Sequence, residues 1–583
     1  MKELKTVKGR SFLFNTLFVG SNIAGVLLII LGNLELFASS QLSFNLLGGL
    51  FFLVGVVGII IFKGRMMMAN VSRALVGSIF IVSGLIKAND PVGFAYKLEE
   101  YFEDGALAYR LKEIMGAPDF SFENLIGSAL GIGIVICVLE IIIGVLLLIG
   151  GKIKLTAWSA MIMMLFFTFL TWHTATCDPT ESFTDRNVYD VNSDTAKELL
   201  KTAKKNKEIV IVEKNATSIV VDEQAHPQCV SDCGCFGDAF KGSAGRSLTP
   251  SESLAKDFFL LYLVIWVFLA QWIIQPNKAR QNIKFLLWSL GIVGLLSILF
   301  SWYFPLLFTI MVFVGALWVL RVGGAFFSNY WGSILSVSFI TGIFVLYVMN
   351  FDPVKDFRPY AVGNNLKWQM NNDVNGMYEN TFILKNRKTG QEKAYSEKEY
   401  MNDKLLWNDK FFKFVRSEQK VIIAAKLPSI TEQFNPEVKV KNLTEAELGL
   451  DFIQGIKENS LPSLKEFSIR EYIVHAKRIV IVSARDLKTA NWTRLQRFKD
   501  LQSFCTQHKI PFVLITSSSP ASINYFRKTN NWSVASFVND ETELKAISRS
   551  NPCLLVVENG IVKAKFAHLQ TPSIERFKKE IDF

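Results

Sequence analysis

Leu125-Ile-Gly-Ser-Ala-Leu-Gly-Ile-Gly-Ile-Val-Ile-Cys-Val-Leu-Glu140-Ile-Ile-Ile-Gly-Val-Leu-Leu-Leu-Ile149 is an apolar run interrupted by one charge. A bilayer core of about 30 Å is crossed by roughly 20 apolar residues in a helix, so this run reads as a membrane span with Glu140 deep inside it. An ionisable group there costs about 2.5–3.5 kcal/mol on insertion scales. Glu140 is therefore expected to pair, and Arg73 on the preceding span is the expected partner. The pair reads either as a proton path or quinone-head contact, or as an ion pair that clamps two helices.

Similar runs recur on both sides. Spans are expected near 12–33, 42–62, 70–88, 125–149, 155–173, 257–275, 284–302, 304–320 and 330–349, about nine in all. Half of the residues are hydrophobic and 20% are charged, which excludes one soluble core and fits a polytopic α-helical membrane protein. The basic, then apolar N-terminus reads as an uncleaved first helix. Lys2, Lys5, Lys8 and Arg10 precede the first span, and Lys63, Arg65, Lys152, Lys154, Lys278, Arg280, Lys284 and Arg321 fall in alternate short loops. The positive-inside bias then puts the N-terminus in the cytoplasm. In a bacterium this makes the inner membrane the site and puts the loop 176–255 and everything after 350 in the periplasm. The net charge of +11 follows largely from these anchoring residues, and no basic cluster with interleaved aromatics points to nucleic acid.

The loop between the fifth and sixth spans carries four of the seven cysteines. Cys177 opens it, and Cys229-Val-Ser-Asp-Cys233-Gly-Cys235-Phe-Gly-Asp238 lies near its end. Within it, 195–204 reads as a polar helix, and 208–213 with 218–222 as a strand pair turned at Lys214-Asn215-Ala216. Four thiols on an oxidising side suffice for two disulfides. A bond within Cys233-Gly-Cys235 closes a very small ring, which favours exchange, and Asp238 is placed to assist proton movement. Cys177 follows a span directly, where a lipid-dissolved quinone can approach, and Trp172 and His173 one turn away supply stacking and a hydrogen bond. Two other readings stay open. Cys177–Cys229 serves as a structural staple, or Cys229, Cys233, Cys235 and His226 hold zinc, although the spacing is unlike paired zinc knuckles and no metal ligand is expected. Trp172 and His173 read equally as an interfacial belt.

Residues 351–464 are polar and mixed, with strand-like pieces such as 420–425. From 465 to 583 the order is α/β. It runs strand 478–483, helix 490–508, strand 511–516, a helix from Pro520 capped by Ser519, strand 533–538, a hairpin of 553–557 and 561–566 turned at Asn559-Gly560, and a last helix at 573–580.

Ser550-Asn-Pro552-Cys-Leu-Leu-Val-Val-Glu-Asn-Gly560, in that order of elements, resembles the thioredoxin fold over roughly 115 residues. The resemblance implies a cis Asn551–Pro552 bond opening the hairpin strand opposite the active-site loop. That loop is Ala484-Arg-Asp-Leu-Lys-Thr489, and it lacks both cysteines of the family's dithiol. Cys505 and Cys553 read as buried core thiols. The tail is thus expected to be a recognition or docking domain for a periplasmic partner or client.

The membrane part resembles the DoxX/MauE group. The residues that carry this are Arg73-Ala-Leu-Val-Gly77, Ser83-Gly84-Leu-Ile-Lys87, Asp90-Pro91-Val-Gly93-Phe94, Lys97, Tyr101-Phe102, Glu140, Gly144 and Gly150. Cys233-Gly-Cys235-Phe-Gly-Asp238, Ser247-Leu-Thr-Pro250 and Lys256-Asp257 complete the pattern. The group's members are implicated in quinone-linked redox chemistry or disulfide-dependent maturation of envelope proteins. The combination with a degenerate thioredoxin-like tail resembles an architecture of Bacteroidetes-type bacteria. The expected activity is a quinone-linked thiol–disulfide oxidoreductase or redox maturation factor. Cys233, Cys235, Cys177 and Cys229 are the expected reacting residues, and Trp172, His173, Glu140, Arg73 and Lys87 the quinone contacts. Lys87 and Asp90 are expected near the outer surface as the floor of the cysteine loop. The alternative is a membrane-anchored scaffold with purely structural disulfides. A transporter is disfavoured because no inverted repeat or pair of broken helices is evident.

Overall fold

The computed structural model describes residues 2–32, 41–61, 63–191, 209–215, 217–230, 234, 239, 248–322, 330–366, 377–386, 392–396, 412–423, 476–539 and 541–582. Contacts divide the chain into two units. One is Met1–Met349 with Pro353–Phe357, and the other is Asn350–Asp352 with Arg358–Phe583.

The first unit is mainly helical. Its helices are α1 (Lys2–Gly32), α2 (Gln41–Ile61), α3 (Arg65–Asn89), α4 (Pro91–Phe102), α5 (Tyr109–Met115), α6 (Ala129–Ile149), α7 (Ile153–Thr176), α8 (Pro250–Ala270), α9 (Ala279–Leu299), α10 (Phe304–Val322) and α11 (Trp331–Phe351). Among the described residues, eight helices are long and apolar enough to cross a membrane. The span expected at 42–62 is α2, whose apolar stretch Asn45–Ile61 is shorter. On α9, Leu287, Leu295 and Ile298 are 62%, 71% and 64% exposed. Such side chains on consecutive turns belong in a lipid environment.

Two sequence devices position the interior. α8 begins at Pro250 rather than at the expected 257. The Thr249 hydroxyl accepts from the Glu252 N–H, the Glu252 carboxylate accepts from the Thr249 N–H, and Pro250 fills the first helical position. Lys256 and Asp257 therefore sit inside a helix. α3 and α6 pack closely because glycines face each other. A Cβ on Gly77 would lie 2.9 Å from the Gly144 carbonyl oxygen, and one on Gly84 would lie 2.7 Å from Ile141 Cγ1 and 2.9 Å from the Cys137 oxygen. α8 packs against both α3 and α7.

Between the spans lies a small sheet of β1 (Phe183–Asp190), β2 (Ile209–Lys214) and β3 (Ser218–Ala225), in the order β1-β3-β2 with both pairings antiparallel. The expected hairpin is β2–β3. Strand β1 carries mixed polar residues without clean alternation and was not anticipated. The helix expected at 195–204 lies outside the described residues.

The second unit contains two sheets. β4 (Met377–Asn386), β5 (Glu392–Ser396) and β6 (Phe412–Ile423) form an antiparallel sheet in the order β5-β4-β6. The strand expected at 420–425 is the end of β6. The other sheet is mixed, with β7 (Arg478–Ala484), β8 (Phe512–Thr516), β9 (Ala535–Val538), β10 (Cys553–Glu558) and β11 (Ile561–Ala567) in the order β11-β10-β7-β8-β9. Strands β7, β8 and β9 are parallel, and β10 runs antiparallel to β7 and β11. Helices α12 (Leu495–Gln507), α13 (Pro520–Thr529), α14 (Glu541–Ile547) and α15 (Ile574–Glu580) complete it. α12 starts at 495 rather than 490, and α14 was not anticipated. Ser519 caps α13 by accepting from the Ser522 N–H. The hairpin turn has Asn559 at φ +50° and Gly560 at φ +79°, both left-handed as an Asn-Gly turn requires.

Candidate functional site

Among the described residues, the buried charges of the first unit include a cluster at Lys87, Glu140 and Asp257, the Arg73 guanidinium, and Lys112, which pairs with Asp185. Lys87, near the end of α3, points its ammonium between the two oxygens of Glu140 on α6, at 2.8 Å from Oε2 and 3.0 Å from Oε1. It also donates to Ser83 Oγ at 2.7 Å, and Ser83 donates to Glu140 Oε1 at 3.3 Å. The ammonium lies 4.9 Å from the Phe167 ring centroid and 5.7 Å from that of Phe94. Lys87 and Glu140 are both buried. On α8, Lys256 Nζ lies 2.8 Å from Asp257 Oδ1, and Asp257 is also buried. Ser83, Lys87, Glu140, Lys256 and Asp257 line a cavity of about 10 Å³, closed by Phe80, Met164, Phe167 and Leu260.

Arg73 does not take part. Its Nε donates to the Leu147 carbonyl at 2.8 Å, and its Nη2 donates to Asn277 Oδ1 at 2.9 Å. Asn277 Nδ2 in turn donates to the Leu148 carbonyl at 2.7 Å. These are the last carbonyls of α6, which a helix leaves without internal partners, and a cation is favoured at that end. The expected Arg73–Glu140 pair is thus replaced by Lys87–Glu140. The register that sets Gly77 on Gly144 carries Arg73 past the end of α6. Fourteen residues of helix, roughly 21 Å at 1.5 Å each, separate Arg73 from Lys87. Lys87 is buried, beside the Phe94 ring that also meets Gly234 of the cysteine loop. Asp90 caps α4, accepting from the Gly93 N–H at 2.9 Å.

The cysteines lie at another part of this unit. Cys177 caps α7 and is disulfide-bonded to Cys229. Gln228 N–H donates to the Gly105 carbonyl at 2.7 Å, and Val230 is buried with Tyr101, Leu107 and Leu170. His226 Nδ1 lies 2.8 Å from the Glu181 carbonyl oxygen. Cys233 and Cys235 lie outside the described residues. Gly234 between them is described. It has φ +63°, and a Cβ there would meet Lys97 Cγ at 3.2 Å and Phe94 Cδ2 at 3.9 Å. Phe94 is also the ring beside Lys87.

His173 is not an interfacial residue. It is fully buried, with Tyr109 and Tyr101 centroids at 5.5 and 6.4 Å, and neither ring nitrogen has a hydrogen-bond partner among the described residues. Tyr101 of α4 and Tyr109 of α5 pack against it. Trp172 is 36% exposed, and the Arg110 guanidinium lies 5.7 Å from its ring centroid while donating to the Thr176 carbonyl at 2.7 Å. A second cavity of about 430 Å³ is lined by Lys112, Glu113, Gly116, Pro118, Ser182, Phe183 and Thr184. Neither cavity touches Trp172, His173 or Cys177. The one at Lys87 is far below the roughly 300 Å³ that encloses a small organic ligand. Among the described residues, Arg73 stands apart from Lys87 and Glu140, and neither of these two cavities joins them to Trp172 and His173. Among the described residues, no cluster of metal-ligating side chains is found.

No protein-family model, curated protein or solved structure matches this chain.

In the second unit, the loop after β7 holds Arg485, Asp486 and Leu487 where a redox dithiol was sought. Arg485 N–H donates to Asn551 Oδ1 at 3.0 Å, Leu487 N–H donates to Ser518 Oγ at 3.0 Å, and Asn551–Pro552 is cis. Hydrogen bonds, led by that from the Lys488 N–H, hold the Asp486 carboxyl below its usual range. Cys505 and Cys553 are buried, and burial pushes their thiols up to about 12 and about 11. A raised thiol value means less thiolate, the reacting form, at any pH below it. At about pH 8, iodoacetamide should leave both unmodified in the folded chain and modify both after denaturation. Peptide mass mapping of native and denatured samples reads this, and native labelling of either would contradict it.

Tyr109 has no mark in the sequence, whereas Ser83, Tyr101 and Lys256-Asp257 belong to the motifs that carry the DoxX/MauE resemblance but have no role assigned from sequence. The signal for Lys256-Asp257 was present as two charges on an apolar helix. Reading the helix as starting at 257 put them at its edge.

Proposed function

We propose that this chain is a DoxX/MauE-like thiol–disulfide oxidoreductase of the bacterial inner membrane that passes electrons from dithiols to a membrane quinone. In this reading the N-terminus is cytoplasmic. The cysteine loop and a thioredoxin-like, dithiol-free tail are periplasmic, and the tail recruits envelope-protein clients. The observation that carries it is the Cys177–Cys229 disulfide at the end of a candidate span, four residues before Cys233-Gly234-Cys235, with Gly234 seated on Phe94 and Lys97. The strand order of the mixed sheet, its cis Asn551–Pro552 and its cysteine-free loop after β7 support the tail's assignment. Balanced, the reaction is two thiols plus quinone giving one disulfide plus quinol. The quinone is a diffusing co-substrate, met at the lipid-exposed face near Trp172.

The test uses the full chain in lipid vesicles, reduced and then mixed with a short-chain quinone, with free thiols counted by mass shift after alkylation. Loop thiols should disappear as quinol forms, and Cys233→Ser/Cys235→Ser should slow this about 100-fold, as loss of a reacting group does. Thiols that stay reduced with quinone present would refute the reading. The second reading, a membrane-anchored scaffold, is favoured by the seating of Gln228 and Val230 beside the disulfide. A Cys233→Ser/Cys235→Ser chain that keeps partner binding and loses nothing else would select it.

A further inference from the structure

We propose that Asp257 is the proton-exchanging group of a buried site built with Lys256, Glu140, Lys87 and Ser83. The inference rests on the oxidoreductase reading for its purpose but not for its geometry.

The two carboxylates in this cluster differ. Both oxygens of Glu140 are engaged, by Lys87 at 2.8 and 3.0 Å and by Ser83 at 3.3 Å. A proton added there would have to displace the ammonium. Asp257 has one oxygen held by Lys256 at 2.8 Å. Its other oxygen, Oδ2, is buried and has no hydrogen-bond partner among the described residues. Native proteins rarely leave a buried carboxylate oxygen without a partner, and a proton or a bridging water supplies one. The cavity lined by Asp257, Glu140 and Lys87 has about 10 Å³, close to the roughly 10–15 Å³ that one water needs.

Among the described residues, the charges around Asp257 are few and come from identified elements. Lys256 is its own helix neighbour, Lys87 comes from α3 and Glu140 from α6. α7 brings the apolar Met164 and Phe167, and its ionisable Lys154 and His173 lie more than a turn away along the helix. α1 has no ionisable residue after Arg10. The Lys256 side chain is 22% exposed, while those of Asp257, Glu140 and Lys87 are at most 3% exposed. The cluster thus reaches its surroundings at Lys256 and ends at the Lys87–Glu140 pair. Phe94 stands beside Lys87 and also meets Gly234.

The chemistry asks for such a group. When two thiols are oxidised by a quinone, two electrons and two protons leave sulfur, and both protons end on the quinol oxygens. Asp257 takes up a proton as a thiol ionises and releases it when the reduced acceptor needs one. The Lys87–Glu140 pair holds the local charge constant and acts as a positioning element.

Two readouts on the full chain in lipid vesicles test this. Parent-minus-Asp257→Asn difference infrared spectra, which cancel the chain's other carboxyl groups, should show one carboxylic C=O band that moves down in D2O. Asp257→Asn keeps the side chain's size, so it should elute and melt as the parent does. The same difference taken in a Lys87→Gln/Glu140→Gln background should keep the band. The second readout is the rate of thiol loss with quinone, which Asp257→Asn should lower about 100-fold, the scale of a general acid–base contribution. A difference spectrum without that band overturns the proposal. If the parent shows the band but no quinone-dependent thiol loss, the oxidoreductase reading falls while the exchange site stands.

Discussion

Glu140→Ala should leave little folded protein. It strands the Lys87 ammonium, which is buried and otherwise held by Ser83 and two aromatic rings. Removing one partner of a buried ion pair costs about 3–5 kcal/mol, because the remaining charge is uncompensated, whereas replacing both by apolar residues is often neutral. Lys87→Met/Glu140→Met should therefore recover the folded yield that Glu140→Ala loses. Monodisperse elution in detergent and the thermal midpoint of each variant check this. Equal damage from the single and double changes would mean that the pair itself, not the stranded charge, maintains the packing of α3 on α6. Arg73→Met should behave differently. It takes the donor from the Leu147 carbonyl, while Asn277 keeps that of Leu148, but strands no opposite charge.

The contrast between Lys87 and Arg73 shows what the sequence could and could not tell. Burial of Glu140 and its need for a cation followed from one charge in an apolar run. Which cation it met depended on the register of two antiparallel helices. That register is set by Gly77, Gly144 and Gly84, whose contacts are invisible until the helices are docked. Span positions were legible because apolar runs are long and loops polar. The start of α8 was misjudged because the capping box at Thr249–Glu252 lies outside the apolar run. In the mixed sheet, β-branched runs, the Ser519 cap and the Asn-Gly turn are local signals, and β7, β8, α13 and the β10–β11 hairpin follow them. Strand β1 is polar and its residues pair with β3 at separations of 28 to 42 residues, so no local signal marks it. His173 was misplaced for a related reason. Its burial comes from Tyr101 and Tyr109, which reach it only once the segments between the spans have folded.

Cys177→Ser/Cys229→Ser should open the segment between α7 and α8. The disulfide joins residues 52 apart in sequence, and closing a loop of that size removes chain entropy equivalent to about 4 kcal/mol in the simple loop model. What the bond holds is local. It seats Gln228 on Gly105 and Val230 among Tyr101, Leu107 and Leu170. The loss should thus appear as faster proteolysis between residues 177 and 248, by about 100-fold or more, since each 1.4 kcal/mol is tenfold in the open population when opening is fast. The thermal midpoint of the helical bundle should move far less, because opening of this kind is sub-global. The same comparison separates the two readings of the disulfide. If it exchanges with clients, dithiothreitol should make the parent as protease-sensitive as the double variant, and quinone should restore protection. If it is a staple, protection should persist in the reductant until the bundle itself unfolds. Equal digestion of parent and variant would show that the Gln228 and Val230 contacts hold the segment without the covalent bond.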